Sequence, residues 1–323
     1  MKKILGTAAV LAAFAGMATA DGIIVDPGDA YAVGINSGGS LFTDGTYNTR
    51  VGSLSYVGFQ RLGDGYDPIN PGTPTEGWAM ALDNGGGWVN GRGDNYYLGS
   101  SNISLITESY NPSSATTVHN FGGGMARVRS DFSFFTSQVI GIKVTVTNTS
   151  GAAINNARYN REVDWDILPS FFSEYARTDA LGGDVVDSSY YGFEDRDAST
   201  PFTKFGGAAG GFYGLSDLGG GMTIDLISLN GGAIADGASV EFYVFHAIST
   251  LAQSENALRN QLYGLGAEWV VTGVSSSGPG PDAFHAAMGY SRDLIPAPGA
   301  LALLGIAGLV SRRRRCATRR RCV

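Results

Sequence analysis

The residues best suited to do chemistry form a short acidic row, Glu162, Asp164 and Asp166, with Trp165 between the last two. Alternate side chains of an extended strand share one face, which places Asp164 and Asp166 about 7 Å apart along the backbone. The row could bind Ca²⁺ through carboxylate oxygens. It could also supply the two carboxyl groups of a glycoside hydrolase, or be an acidic strand face that pairs with basic neighbours. The sequence allows all three interpretations.

A second candidate combines tryptophans with nearby polar residues. Trp78 and Trp88 lie close in the sequence to Asp83–Asn84 and Asp94–Asn95. Sugar sites use aromatic ring faces together with a few polar groups that take the hydroxyls. Core tryptophans flanked by turn residues give the same pattern, so the cluster predicts either a sugar site or part of the core.

Other candidate metal-binding and catalytic motifs in the sequence are weak. Glu194–Asp197 is acidic but lacks the spacing of an EF-hand loop, which favours a solvated loop. The three histidines, His119, His246 and His285, have no partner at metal-ligand spacing. The sequence contains neither a nucleophile elbow nor a phosphate-binding loop. These features predict a protein that is not an enzyme, with glycoside hydrolysis as the alternative.

The elements that would position these residues are mostly strands. Alternation of apolar and polar residues predicts strands at 127–135, 140–146, 156–167 and 240–248. The best helix signal is Ser254–Tyr263, with apolar residues at helical spacing and Gly264 at its end.

Arg161 departs from the alternation of its strand. It shares a predicted apolar face with Tyr159, Val163, Trp165 and Ile167. An isolated charge on such a face is costly. We therefore expect Arg161 to meet a carboxylate or to lie at a sheet edge.

Glycine clusters between the apolar runs complete the prediction of the fold. The chain has 323 residues, of which 48 are glycine, and clustered glycines between strands are typical of turns. We predict an all-β fold, a large antiparallel β-sandwich with one short helix. Its body spans residues 21–294, possibly as two subdomains, which is long enough for a substantial core.

The charge of this body limits its partners. Without the two lysines near the start and the seven arginines near the end, 13 basic residues remain against 29 acidic ones, a net charge of −16. Such a body is not expected to bind nucleic acid, whereas Ca²⁺ remains a possible ligand. Both cysteines, Cys316 and Cys322, lie in the arginine-rich tail, so the body has no disulfides.

The first 20 residues have the form of a signal peptide. Lys2–Lys3 precede an apolar run over residues 4–15, and small residues follow. Ala18 and Ala20 fit the A-x-A rule for signal peptidase, which predicts cleavage before Asp21.

The last 29 residues, 295–323, have the form of a membrane anchor. Pro296, Ala297 and Pro298 are followed by an apolar stretch, and the uncharged run 294–311 has 18 residues, near the lower limit for a membrane-spanning helix. Arginines next to an apolar span stay in the cytoplasm. The predicted stop-transfer residues are Arg312, Arg313, Arg314 and Arg315.

A proline motif, a short apolar helix and a terminal arginine cluster, in this order, resemble the PEP-CTERM sorting signal. In that family the motif is usually Val-Pro-Glu-Pro, whereas this chain has Ala297 in place of the glutamate. The resemblance implies a transmembrane helix and processing by an exosortase-like membrane enzyme. Segments 146–151, 159–166 and 261–266 are similar to bodies found in PEP-CTERM proteins of unassigned function, which implies a shared β-rich domain and no activity.

Two functional hypotheses follow. The first is an exported protein, anchored in the membrane as a precursor and then displayed at the cell surface or in an extracellular matrix, with a structural or adhesive role. Its partners would be signal peptidase, the exosortase-like enzyme and extracellular polysaccharide. The second is a secreted carbohydrate-binding or carbohydrate-active protein that uses the tryptophans together with Asp164 and Asp166.

Overall fold

A computed structural model describes residues 21–69, 75–95, 99–170, 173–190, 197–202, 211–216, 218–250, 253–275 and 284–294. Within these ranges the chain forms 19 strands and two helices. The strands are β1 (Gly22–Val25), β2 (Tyr31–Ile35), β3 (Thr43–Thr49), β4 (Gly52–Val57), β5 (Phe59–Arg61), β6 (Glu76–Asp83), β7 (Trp88–Asp94), β8 (Ile103–Asn111), β9 (Ser114–Phe121), β10 (Ala126–Thr136), β11 (Val139–Asn148), β12 (Asn156–Asp164), β13 (Glu174–Thr178), β14 (Val185–Ser189), β15 (Gly211–Ser216), β16 (Gly219–Asp225), β17 (Ser239–Ile248), β18 (Trp269–Ser275) and β19 (His285–Ser291). The helices are α1 (Leu226–Asn230) and α2 (Glu255–Gly264).

Two large sheets make up most of the body. One has nine strands in the order β15-β13-β18-β19-β17-β11-β10-β9-β8, and the other has five in the order β14-β16-β12-β6-β7. The pairings within both are antiparallel. The prediction of a mostly β fold with large antiparallel sheets is confirmed.

The main core lies between these two sheets. Alternation on β11 buries Ile142 and Val144 completely, and they belong to the same apolar cluster as Phe242 of β17. Met80 of β6 and Tyr159 of β12 enter this cluster from the five-stranded sheet. The facing layers therefore form a sandwich, because each sheet buries one set of alternate side chains against the other.

Helix α2 forms where the sequence predicts a helix and covers the outer face of the nine-stranded sheet. The Ser254 hydroxyl accepts a hydrogen bond from the backbone N–H of Ala257, which caps the N-terminus. Leu258 and Leu262 then pack on Phe245 of β17 in a second apolar cluster.

The prediction of a single helix is wrong, because α1 is a second one. Asp225 caps its N-terminus through the backbone N–H groups of Ile227 and Ser228, and Gly231 ends it in the left-handed conformation at φ 72°. Its five residues are too few to show helical periodicity in the sequence. The predicted strand at 156–167 is also shorter than expected, since β12 ends at Asp164.

Smaller elements pack against the main core through Ile24, Val33 and Phe59. Strands β1, β2 and β5 form a three-stranded sheet, and β3 pairs with β4 as a separate hairpin. Ile23 and Val25 of β1 pack with Val57 of β4 in a small cluster that Tyr47 of β3 partly covers. This arrangement brings the start of the body, β3 and the end of β8 together.

The predicted terminal segments, residues 1–20 and 295–323, lie outside the described residues. In the part of the chain that is described, neither helix has the length and apolar character needed to span a membrane.

Candidate functional site

The acidic row lies inside the protein. Glu162, Asp164 and Asp166 are 0–2% exposed. Glu162 pairs in the sheet with Gly77 on one side and Gly221 on the other. Because glycines flank the carboxylate, other parts of the chain can approach this face closely, and Phe202 and Glu162 both lie against Gly221. The row is thus a covered polar layer.

The burial of the row bears on its two chemical interpretations, a carbohydrate site and a cation site. A bound sugar would have to contact Asp164 and Asp166, which are 2% exposed. Within the described ranges, no group of three or more histidine, cysteine or acidic residues is arranged to hold a metal ion. Of the acidic loop at 194–197, only Asp197 is described, and its carboxylate accepts hydrogen bonds from the backbone and hydroxyl of Ser199.

Three of the four tryptophans are core residues. Trp78, Trp165 and Trp269 are at most 1% exposed. Trp88 is 37% exposed at the start of edge strand β7, and the Arg158 guanidinium lies 5.3 Å from its ring centre. Trp88 is therefore the one tryptophan that offers a ring face at the surface.

Of the two outcomes expected for Arg161, a carboxylate partner or a sheet edge, the structure shows the first. Its Nε and one terminal nitrogen donate to the two Glu76 oxygens at 2.5 and 3.0 Å, and both side chains are fully buried. The other terminal nitrogen donates to the Tyr159 hydroxyl at 3.1 Å. We call Glu76 and Arg161 the central ion pair.

The central ion pair also holds a loop in place. Glu76 accepts a hydrogen bond from the backbone N–H of Leu41, and Arg161 donates to the carbonyl of Gly39. Nearby, the Trp78 indole donates to the carbonyl of Gly38 at 2.9 Å. These hydrogen bonds hold the loop that follows β2 in place between the two sheets.

Electrostatics keep Glu76 ionised. Burial alone would raise the pKa of Glu76, but the Arg161 guanidinium and the neighbouring His246 together lower it to about 2. His246 Nε2 lies 3.4 Å from a Glu76 oxygen, and burial lowers the pKa of His246. Arg161, Glu76 and His246 are all buried, so the cluster is a structural element closed to solvent.

A groove of about 300 Å³ lies at the surface of the described part of the chain, and we call it the N-terminal groove. It is lined by β1, β3 with the turn that follows it, and the end of β8. Its polar and aromatic side chains are Asp21, Tyr47, Asn48, Thr49, Arg50, Tyr110 and Asn111.

Two glycines set the positions of the tyrosine rings. A Cβ at Gly22 would overlap the Tyr110 ring, and one at Gly45 would overlap the Tyr47 ring. Each ring therefore lies directly on a glycine backbone, which fixes its orientation. Asp21, at the start of β1, accepts hydrogen bonds from the backbone N–H of Ser37 at 2.9 Å and the Thr43 hydroxyl at 3.3 Å.

The groove has a negative electrostatic character. Burial raises the pKa of Tyr110 well above its ordinary value, and the charges of Glu108 and Asp21 raise it further. Burial likewise raises the pKa of Tyr47, with additional contributions from Asp21, Asp44 and Glu108. These carboxylates favour a cation over an anion in the groove.

The one basic side chain that lines the groove is already paired. Arg50 forms an ion pair with Asp29 and donates to the backbone carbonyls of Val25 and Asp26. Its charge is therefore directed toward the β1–β2 turn, and it does little to offset the three carboxylates near the tyrosines.

Sequence analysis missed the N-terminal groove. Its residues come from three strands, and the lone tyrosines Tyr47 and Tyr110 carry no motif. Asp21 was singled out only as the residue after the predicted cleavage site. Gly45 and Tyr47, two residues apart on β3, were the available local signal, whereas the contact of Gly22 on β1 with Tyr110 on β8 requires the strand arrangement.

Comparison with known proteins adds no assignment. The chain matches no known family model, and it has no significant match among curated proteins.

Proposed function

We propose that this chain is an exported surface or extracellular-matrix protein whose membrane-anchored precursor is processed by an exosortase-like enzyme. One observation carries the proposal: a proline motif, an apolar stretch and an arginine cluster follow one another after the body, in a chain that begins with a signal-like segment. This order resembles PEP-CTERM substrates.

Each terminal segment has its own role in this proposal. Signal peptidase removes residues 1–20 after Ala20. Arg312–Arg315 stop transfer, so that the body remains outside. Pro296 and Pro298 favour an extended backbone next to the apolar segment, a shape that suits the cleft of a membrane-surface processing enzyme.

The proposed role of the body is structural or adhesive and not catalytic. Burial of the acidic row supports this, because a glycoside hydrolase must present its carboxyl groups to substrate. An antiparallel sandwich without cysteine in residues 21–294 also fits a body that relies on its core for stability.

The central test is the intact mass of the protein from its native cells, with and without the exosortase-like enzyme. We expect the Pro296→Ala/Pro298→Ala variant to insert normally but to accumulate unprocessed in the membrane. Deleting 312–323 should instead impair retention, so that unprocessed protein escapes.

Pro279→Ala/Pro281→Ala is the matched control, because it alters two prolines with the same spacing within the body. It should be processed like the parent. If the 296/298 variant also matches the parent in mass and location, residues 295–323 act only as an anchor and the sorting proposal fails.

One observation favours a second candidate function, binding to extracellular polysaccharide. Trp88 exposes a ring face beside Arg158, and aromatic faces suit sugar stacking. The Trp88→Ala variant should lose retention on the native extracellular polysaccharide. Tyr56→Ala, which removes another exposed aromatic residue, is the control and should bind normally. Equal retention of both variants and the parent would exclude this role.

A further inference from the structure

The chain leaves the folded body on the outer face of the nine-stranded sheet. Strand β19 lies between β18 and β17, and its last residue, Ser291, pairs with Tyr243 of β17. Leu294 then packs on the apolar cluster that α2 forms with this outer face. The proposed membrane anchor therefore begins on the α2 side of the sandwich.

Polar contacts hold the chain in place up to this exit point. The Arg292 backbone N–H donates to a Glu268 carboxylate oxygen at 3.0 Å. The Arg292 guanidinium donates to Asp184 at 2.7 Å, and Asp184 also accepts a hydrogen bond from the Tyr290 hydroxyl at 2.9 Å. Because Asp184 is 1% exposed, these contacts are made at a buried carboxylate. Residues 290–294 thus belong to the body and do not lengthen the connection to the membrane.

The sequence leaves a short connection between Leu294 and the proposed membrane span. The stretch from Gly299 to Ser311 has 13 residues, and a helix of that length reaches about 20 Å, less than the hydrocarbon thickness of about 30 Å. Some residues before Gly299 must therefore also enter the membrane. Even a fully extended chain covers at most about 18 Å from Leu294 to Gly299, so 18 Å is an upper limit for the tether.

A tether of this length is short compared with the body. The headgroup layer alone accounts for about 5–8 Å of it. A compact body the size of residues 21–294 has a radius of gyration of about 19 Å, which is as long as the whole tether. The body therefore cannot turn its far side toward the membrane, and the face around Leu294 is the one that meets the headgroups.

The side chains around the exit point suit this position. Phe135, Tyr243 and Leu265 are partly exposed and pack on the same apolar cluster as Leu294. The ring centres of Phe135 and Tyr243 lie 6.3 Å apart. Tyrosine is enriched where a membrane meets water, because its ring is apolar and its hydroxyl is polar. We call these four residues the exit face.

We propose that the short tether seats the precursor on the membrane with the exit face against the phospholipid headgroups, so that the body is displayed in one orientation. This inference rests on the proposed membrane anchor. The five-stranded sheet, with Trp88 on its edge strand, lies on the other side of the nine-stranded sheet. It is therefore directed away from the membrane, where it can meet extracellular material.

The test compares labels at two glycines. Gly264 ends α2 beside Leu265, and Gly86 lies in the turn between β6 and β7, at the edge of the five-stranded sheet. A Cβ at Gly264 would meet no atom of the described residues within 4 Å, and one at Gly86 would meet only an Asn84 oxygen, at 3.6 Å. Gly264→Cys and Gly86→Cys can therefore each carry a fluorophore without disturbing the fold.

Both variants are made in the chain that starts at Asp21, with Cys316→Ser/Cys322→Ser so that each protein has one thiol. They are inserted into vesicles of neutral phosphatidylcholine, which does not repel the acidic body, together with a lipid that carries a quencher on its headgroup. We expect the label at position 264 to lose most of its fluorescence and the label at position 86 to keep most of it.

A longer tether tests the cause of this difference. Inserting about 20 glycine and serine residues between Leu294 and Ile295 adds a flexible segment with an end-to-end distance of about 25 Å. The body can then turn freely, so the two labels should be quenched to nearly the same extent.

Equal quenching at positions 264 and 86 in inserted protein, or a difference that the longer tether leaves unchanged, would overturn the inference while leaving the anchor intact. Flotation of the vesicles tests the anchor separately. Protein that does not float with them would refute the membrane anchor itself, and the seat on the membrane with it.

Discussion

Strands β11 and β12 have similarly alternating sequences but lie in different environments. On β11, Ile142 and Val144 face the core, while the side chain of Lys143 between them is 35% exposed. On β12, the face opposite the core carries Asn160 and Glu162, and these are buried too. Alternation identifies the two faces of a strand, but what covers the second face depends on distant parts of the chain.

The difference arises from the neighbours of each strand. Glu162 is paired with Gly77 and Gly221, so a segment can pack closely over it. Ala198 forms a small cluster with Ala79 and Ala81 of β6 on this same face. This face of β12 has the polar residues of a solvent-exposed face. It is buried because the small residues on β6 and β16 allow another segment to pack on it.

The largest expected effect comes from the charge on the core face of β12. Arg161→Met would leave Glu76 buried without its cation, and breaking a buried pair in this way costs about 3–5 kcal/mol of unfolding free energy. Chemical denaturation would measure the loss. Adding Glu76→Gln to Arg161→Met should recover part of it, and a cost below about 1 kcal/mol for the single variant would contradict the burial of the pair.

The covered face of β12 gives the next effect. Glu162→Lys places a longer side chain of opposite charge in a closed layer, which should lower the unfolding free energy by about 2–4 kcal/mol. Glu241→Lys on β17, where the carboxylate is 51% exposed, is the matched change on an open face and should cost far less. Similar costs at both positions would show that the covering segment does not exclude water from Glu162.

Acid should lower the unfolding free energy through Glu76, the β6 residue that pairs with Arg161 of β12. Its folded-state pKa, about 2, lies below its ordinary 4.5. The stabilisation is therefore complete above about pH 4.5 and is lost as the pH falls toward 2, on the order of 2 kcal/mol. Chemical denaturation at several pH values between about 6 and 3 measures how steeply the unfolding free energy falls with pH. Glu76→Gln should reduce this pH dependence, and Glu241→Gln should leave it nearly unchanged.

The sequence predicted the parts of the fold that depend on local pattern. β11 and β17 follow from alternation and α2 from the helical spacing of its apolar residues, because an element that buries one face repeats apolar residues at its own period. It also predicted that Arg161 would meet a carboxylate or lie at a sheet edge, and the first of these is found. That this carboxylate is Glu76 depends on the register of β6 and β12, in which Val163 lies opposite Glu76.

The site residues were harder to predict because accessibility is a property of the whole fold. An acidic row such as Glu162–Asp166 has the same sequence whether the face is open or covered. The N-terminal groove depends on β1, β3 and β8, and no local pattern connects Tyr47 with Tyr110. For the same reason, the sequence around Trp78 and Trp165 is compatible with sugar binding, although both side chains are buried in the core.

The smallest expected effect is on the open face of β11. The Lys143 ammonium lies 2.9 Å from a Glu241 oxygen, but the two side chains are 35% and 51% exposed. Water competes with such a pair, and exposed ion pairs contribute about 0.2–1 kcal/mol. Lys143→Gln should therefore lower the unfolding free energy by less than about 1 kcal/mol, and a double-mutant cycle with Glu241→Gln isolates the pair's share. That share should fall further in high salt, because screening acts on solvent-exposed charges. A coupling above about 2 kcal/mol that salt does not change would mean that this face of β11 is covered as well, and the contrast with β12 would no longer hold.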